Sequence, residues 1–194
     1  MKAALYLGNE RIETREIKIP EIREDEILVK IMASGICGTD IHIFYGHPGA
    51  TEPSIPVVLG HEFSGEVVKC GSSVKRLKEG DRVTIDPNIY CGNCDYCMNG
   101  KKQYCPSMSA IGVNQNGGFE EYCVVPEKQA IKIDPDVDYE EAAMGEPVAC
   151  CLHGIDNIGI VPGETVCVIG GGAIGQIMPV SYTHLRAHET LRHL

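Results

Sequence analysis

The run CGNCDYCMNGKKQYC packs four cysteines into fifteen residues. Cys91, Cys94, Cys97 and Cys105 follow the spacing C-x2-C-x2-C-x7-C. Two intervening residues let neighbouring thiolates converge on one ion, and the longer return lets the fourth close a tetrahedron. Four sulfurs with no open position describe a structural zinc site, which implies local stability rather than chemistry. Four unrelated buried thiols would not explain the clustering. An iron–sulfur cluster is the better rival, because Cys105-Pro106 echoes a ferredoxin ending, but the last gap is longer than that pattern allows.

A second set of residues suits an open metal site. Cys37 lies in SGICGTDIH, and His61 and Glu62 lie in VLGHEFSGEVVKCGSSV. Thiolate, imidazole and carboxylate together are the mixed ligand set of catalytic zinc. Singly each is weak, since a lone cysteine is usually a small core residue. Their company strengthens them: Gly60, His61 and Glu62 are followed by Gly65, Gly71 and Val74, giving GHE-x2-G-x5-G-x2-V. A third motif, Gly170, Gly172 and Gly175, forms G-x-G-x-x-G directly after the apolar run TVCVIG. In such a turn the first glycine permits the bend, the second admits a pyrophosphate and the third packs helix on strand. The helix N-terminus then offers free N–H groups to the phosphates.

The elements that must hold these residues are mostly short strands. AALYL, EILVKIMASG, FSGEVVKCG, DRVTIDP, FEEYCVVP and AIKIDP are β-compatible and bounded by Gly, Pro or Asp. Short strands without long intervening helices predict an antiparallel barrel or sandwich up to about residue 145. From Tyr139 the texture becomes helical, and ETVCVIGGGAIGQIM then reads as strand, glycine turn and helix start. The 194 residues allow one sizeable domain, or one domain plus a stub. A net charge of -10 argues against a nucleic-acid partner or an anionic membrane surface. No apolar run reaches membrane-spanning length, and MKAALYLGNERIE lacks the core of a secretory signal. Cysteines spaced for metal rather than disulfides point to a reducing cytoplasm. Cys70, Cys123, Cys150, Cys151 and Cys167 sit in apolar stretches and are expected in the core.

In these motifs and their order, the sequence resembles the zinc-dependent medium-chain alcohol dehydrogenases over residues 1 to about 178. The GHE pattern is similar to their zinc signature, GICGTDIH to their other catalytic-zinc segment, and the four-cysteine run to their structural-zinc lobe. The polyol and threonine branch is the nearest in appearance, because GEPVACCLHGID carries Glu146 where classical alcohol dehydrogenases have a cysteine ligand. The resemblance implies a mainly β fold: a GroES-like β-barrel catalytic domain with helices over 1–145, including a zinc lobe at about 88–108. A connecting helix over 146–163 and the start of a Rossmann domain over 164–178 would follow. It also implies two zinc ions per chain. Cys37 and His61 would hold the catalytic one, with Glu62 and Glu146 binding it directly or through its water. Asp40 would accept the second ring N–H of His61, the kind of partner that metal-bound histidines need. Thr39 would pass the substrate's proton to His42 and solvent. Without the family Thr39 would read as a helix N-cap and His42 as a surface histidine; Tyr45 and His47, in FYGHPG, either border the substrate pocket or, as the stronger reading, form a plain turn. Glycines 170, 172 and 175 would bind NAD or NADP.

After Met178 the helical pattern is expected to break at Pro179, which inside a helix costs about 3 kcal/mol. The run VSYTHLRAHET has no apolar period and does not resemble the family. Codons for residues 180–190 can be chosen that spell one frame of a transposase-type sequencing adapter. Residues 179–194 are therefore expected to be a foreign tail on a truncated gene. The expectation is the N-terminal part of an NAD(P)-dependent polyol or secondary-alcohol dehydrogenase, inactive as truncated and binding dinucleotide weakly. Its substrate is expected to be a small alcohol or polyol, and its full-length relatives to form dimers or tetramers. An L-threonine 3-dehydrogenase-type enzyme and a non-catalytic zinc-binding module are the alternatives.

Overall fold

Period-two alternation of apolar residues builds the main sheet. A computed structural model of the chain describes residues 1–47, 52–159 and 164–185. Two units divide it, Met1–Met144 and Gly145–Leu194.

The first unit is mainly β. Strands β1 (Lys2–Tyr6) and β2 (Ile12–Glu16) form a hairpin in register from Lys2↔Glu16 to Tyr6↔Ile12. Then come β3 (Glu26–Ser34), helix α1 (Gly38–Phe44), β4 (Val57–Val58), β5 (Phe63–Cys70) and β6 (Arg82–Ile85). Strand β7 (Asn88–Ile89), the short helix α2 (Asp95–Met98) and β8 (Ser109–Ala110) follow. The unit closes with β9 (Tyr122–Pro126), β10 (Ala130–Lys132) and α3 (Tyr139–Ala143). The strands make three sheets, ordered β2-β1-β4, β10-β6-β5-β3-β9 and β7-β8. All the ladders are antiparallel. The six strand segments expected from sequence are present, while β2, β4, β7 and β8 are additions.

Residues two apart share a sheet face. Ile27 and Val29 on β3, Val83 and Ile85 on β6, and Cys123 and Val125 on β9 accordingly line one core with Phe63 and Val67. A second cluster joins Tyr6, Ile43, Val57, Leu59, Ala110 and Val113. Within it the Tyr6 hydroxyl donates to the Ile43 carbonyl at 2.8 Å, tying α1 to β1. Two glycines of the GHE pattern serve this packing. A Cβ on Gly65 would collide with the Lys30 carbonyl, and one on Gly71 with the carbonyls of Arg23 and Glu24. Val74 packs against the main core, so only His61 and Glu62 remain in that pattern for chemistry.

The second unit contains α4 (Gly145–Ile158) and α5 (Ala173–Leu185). Three expectations change here. The apolar run at 164–170 forms no strand, because a strand exists by pairing and no ladder reaches it among the described residues. The helix does not break at Pro179 but runs through it to Leu185. A proline removes one N–H bond from the ladder, and α5 is steadied by packing on α4, where Gly154 abuts Met178 and the Cys151 thiol lies 3.8 Å from the Ile174 carbonyl. Cys123 and Cys151 are buried and Cys70 half-buried, but Cys150 and Cys167 are exposed, on the open side of α4 and in the unpaired run. Of the expected connecting helix over 146–163, residues 146–158 are α-helical and 160–163 lie outside the described residues. The same holds for 186–194 of the expected foreign tail, of which 179–185 belong to α5. Among the described residues no helix is long and apolar enough to cross a membrane.

Candidate metal centres

The four-cysteine lobe is a loop pinched at its base by the β7–β8 pair, Asn88↔Ala110 and Ile89↔Ser109. Cys94 caps the N-terminus of α2, Cys97 lies within that helix, and Cys105 ends the 3-10 turn Lys102–Tyr104. All four sulfurs lie within 4.8 Å of one another. The Sγ atoms of Cys91 and Cys97 are 3.9 Å apart, and the Cys91 N–H donates to Cys105 Sγ at 3.5 Å. Backbone N–H groups of Asn93 and Cys94 lower Cys91 to about 6. Burial raises Cys97 to about 12. Thiols this close cannot all ionise beside one another unless a cation balances them, so the donor set fits a tetrathiolate zinc ion.

The second constellation joins two segments at the ends of the neighbouring central strands β3 and β5. Cys37 leaves the end of β3 and caps α1, while His61 and Glu62 form the turn into β5. Their donor atoms also lie within 4.8 Å of one another. His61 is 8% exposed and Glu62 9%. Asp40, 3% exposed, organises the group. Its Oδ2 accepts the Cys37 N–H at 2.9 Å, and its Oδ1 accepts the Gly60 N–H at 3.2 Å and faces His61 Nδ1 at 3.5 Å. One carboxylate thus ties the loops that bear Cys37 and His61. Burial disfavours charge on His61, but Asp40 and Cys37 outweigh it and push the imidazole up to about 10. Surroundings that hold a proton this firmly also suit a cation. A half-buried thiol beside a buried imidazole and carboxylate, with Nδ1 already turned towards Asp40, fits a zinc ion.

The remaining expected residues are placed as follows. Thr39 and His42 are exposed on α1. Thr39 is not the N-cap, a position occupied by Cys37 because the chain leaves its extended path there. The His42 ring lies 5.7 Å from that of His47, which lies 6.1 Å from Tyr45. Glu146 lies in the first turn of α4 and accepts the Cys150 thiol at 3.2 Å. Gly170 has φ +115, and a Cβ on Gly175 would collide with the Gly170 carbonyl, while Gly172 has open space around it. Two residues went unnoticed in the sequence. Gly35 lies against the Glu62 carboxylate, and Glu120 is a buried acid on a segment read only as strand.

Known proteins resemble this chain in sequence and in fold. Residues 23–135, more than half of the chain, match the family described as alcohol dehydrogenase GroES-like domain. D-arabitol-phosphate dehydrogenase of Enterococcus avium is 42% identical over 171 residues, covering 87% of this chain and 48% of the relative. L-threonine 3-dehydrogenase of Escherichia coli K12 is 36% identical over 193 residues, covering 98% and 56%. A Sinorhizobium meliloti 1021 protein solved bound to NADP superimposes with TM-score 0.91 at 44% identity, over 96% of this chain and 54% of that one. The chain spans about half the length of the curated relatives it matches. By this match and the mainly β architecture beneath it, the chain belongs to the alcohol dehydrogenase family, of which it carries the GroES-like domain.

Proposed function

We propose that this chain carries the metal-binding part of a zinc- and NAD(P)-dependent dehydrogenase that oxidises a polyol or secondary alcohol to a ketone. The reading rests on the convergence of Cys37, His61 and Glu62 within 4.8 Å, in a chain whose relatives include an arabitol-phosphate and a sorbitol dehydrogenase. When bound, zinc supplies polarisation of the substrate hydroxyl and the nicotinamide supplies a hydride acceptor. The chain's own residues have separate tasks. Cys37, His61 and Glu62 hold the cation, Glu146 adds a further carboxylate, and Asp40 fixes the His61 ring. Thr39 and His42, both exposed, move the substrate's proton to solvent. In the whole enzyme, glycines 170, 172 and 175 would face the dinucleotide phosphates. Cys91, Cys94, Cys97 and Cys105 hold a structural zinc. The cytoplasm is the proposed location, since ten unbridged cysteines suit a reducing compartment, and assembly into dimers or tetramers is proposed for the whole enzyme.

Threonine-type oxidation is a second reading, favoured by a threonine dehydrogenase that matches 98% of this chain. It would need an anchor for the substrate's carboxylate and ammonium groups. Metal counting separates the enzyme from a plain zinc module. The enzyme reading expects about two zinc ions per chain, falling to about one in Cys37→Ser/His61→Ala. One zinc in the unaltered chain would leave only the structural lobe and refute the proposal.

A further inference from the structure

Glu62 reaches the second metal centre through space that a glycine leaves open. Strands β3 and β5 pair up to Ser34↔Phe63. One step further the Gly35 N–H donates to the Glu62 carbonyl at 2.7 Å, so the two residues face each other across the strand ends. A Cβ on Gly35 would lie 2.5 Å from Glu62 Oε2 and 3.3 Å from its Cβ. The backbone does not demand glycine here, since Gly35 is absent from the residues with positive φ. What demands it is the Glu62 side chain. Gly65 and Gly71 differ, because a Cβ there would strike backbone and damage the fold. At Gly35 the first atom met is the tip of a flexible side chain that belongs to the metal donor set.

We infer that Gly35 is a positioning residue for the metal centre: its missing side chain is the space in which the Glu62 carboxylate lies to join Cys37 and His61. A methyl group at position 35 would push that carboxylate aside and leave the thiolate and imidazole in place. The inference rests on the proposed metal reading, and the two can fail separately.

The experiment is a cobalt(II) titration of the metal-stripped 194-residue chain, followed by visible absorption, for the unaltered protein, G35A, E62A, G35A/E62A and G38A. Gly38 is the control, because nothing lies within 4 Å of a Cβ there. The unaltered chain is expected to take up a second cobalt ion beyond the tetrathiolate. G35A should weaken that second uptake roughly 10–100-fold, E62A should do the same, and the double variant should be no weaker than E62A. G38A and the tetrathiolate signal should not change. Undiminished second uptake in G35A overturns the inference, as do multiplicative losses in the double variant or an E62A without effect. A single cobalt in the unaltered chain defeats the metal reading and the inference with it. Thermal melts give a readout independent of metal: whatever G35A loses in Tm should vanish in the E62A background. A loss that persists there would place the clash elsewhere and overturn the inference.

Discussion

Replacing Glu120 with glutamine should remove a pH dependence from the stability of the first unit. The Glu120 carboxyl is 7% exposed and neither oxygen has a hydrogen-bond partner among the described residues. The Cys123 thiol is the titratable group acting on it, and burial pushes the acid up to about 8 from 4.5. Between those values the folded chain holds a proton that the unfolded chain has released. Stability from this residue is therefore fully present below about pH 4.5 and is lost as pH rises through about 8. At about 1.4 kcal/mol per tenfold in proton affinity, the difference caps the loss near 5 kcal/mol. Local relaxation and water entry bring the expected loss to about 2–4 kcal/mol. Glutamine keeps the shape without titrating; its buried amide imposes a cost of about 1–3 kcal/mol that does not vary with pH. Urea unfolding of both proteins at saturating zinc, from pH 5.5 to 8.5, isolates the effect because metal-linked terms cancel in the difference. The unaltered chain should lose stability relative to Glu120→Gln as pH rises. A difference constant to within about 0.5 kcal/mol across that range would refute a buried, unpaired Glu120.

Asp40→Asn should weaken metal binding at Cys37 and His61 roughly 10–100-fold and leave the four-cysteine lobe loaded, as read by chelator competition. Tyr6→Phe removes the hydroxyl that donates to the Ile43 carbonyl; it should cost about 0.5–1.5 kcal/mol in urea unfolding, with no loss of zinc from the lobe. The glycine turn has no strand before it among the described residues, so NADH fluorescence titration of the 194-residue chain should show no saturable binding at micromolar concentrations, whereas a rigid phosphate cradle would give it.

The sequence was most informative where chemistry depends on residues close along the chain. The cysteine spacing C-x2-C-x2-C-x7-C foretold a single cluster, since one small loop can gather those thiols with little help from the rest of the fold. Cys37 and His61 are further apart, and the structure brings them together through the pairing of β3 with β5 and the shared Asp40 carboxylate. Strands of four or more residues with apolar alternation were legible. The two-residue strands β4, β7 and β8 were not, because a pair that short is set by tertiary contacts rather than propensity. The run TVCVIG has strand composition, yet composition cannot supply a neighbour to pair with. Pro179 signalled a break, and the packing of α4 on α5 outweighs one lost hydrogen bond. Cys150 and Cys167 were expected in the core from their apolar neighbours, but residue type does not say which face of α4 is covered, nor that the run bearing Cys167 stays unpaired. Gly35 closed the strand segment EILVKIMASG without a reading of its own, and only the cross-strand position of Glu62 gives it a role.

Anomalous diffraction from crystals of the zinc-loaded chain, measured at the zinc absorption edge, addresses the second centre most directly. The account predicts two peaks, one enclosed by Cys91, Cys94, Cys97 and Cys105 and one bounded by Cys37, His61 and Glu62. A peak in the four-cysteine lobe alone, with full occupancy there and none beside His61, would contradict it.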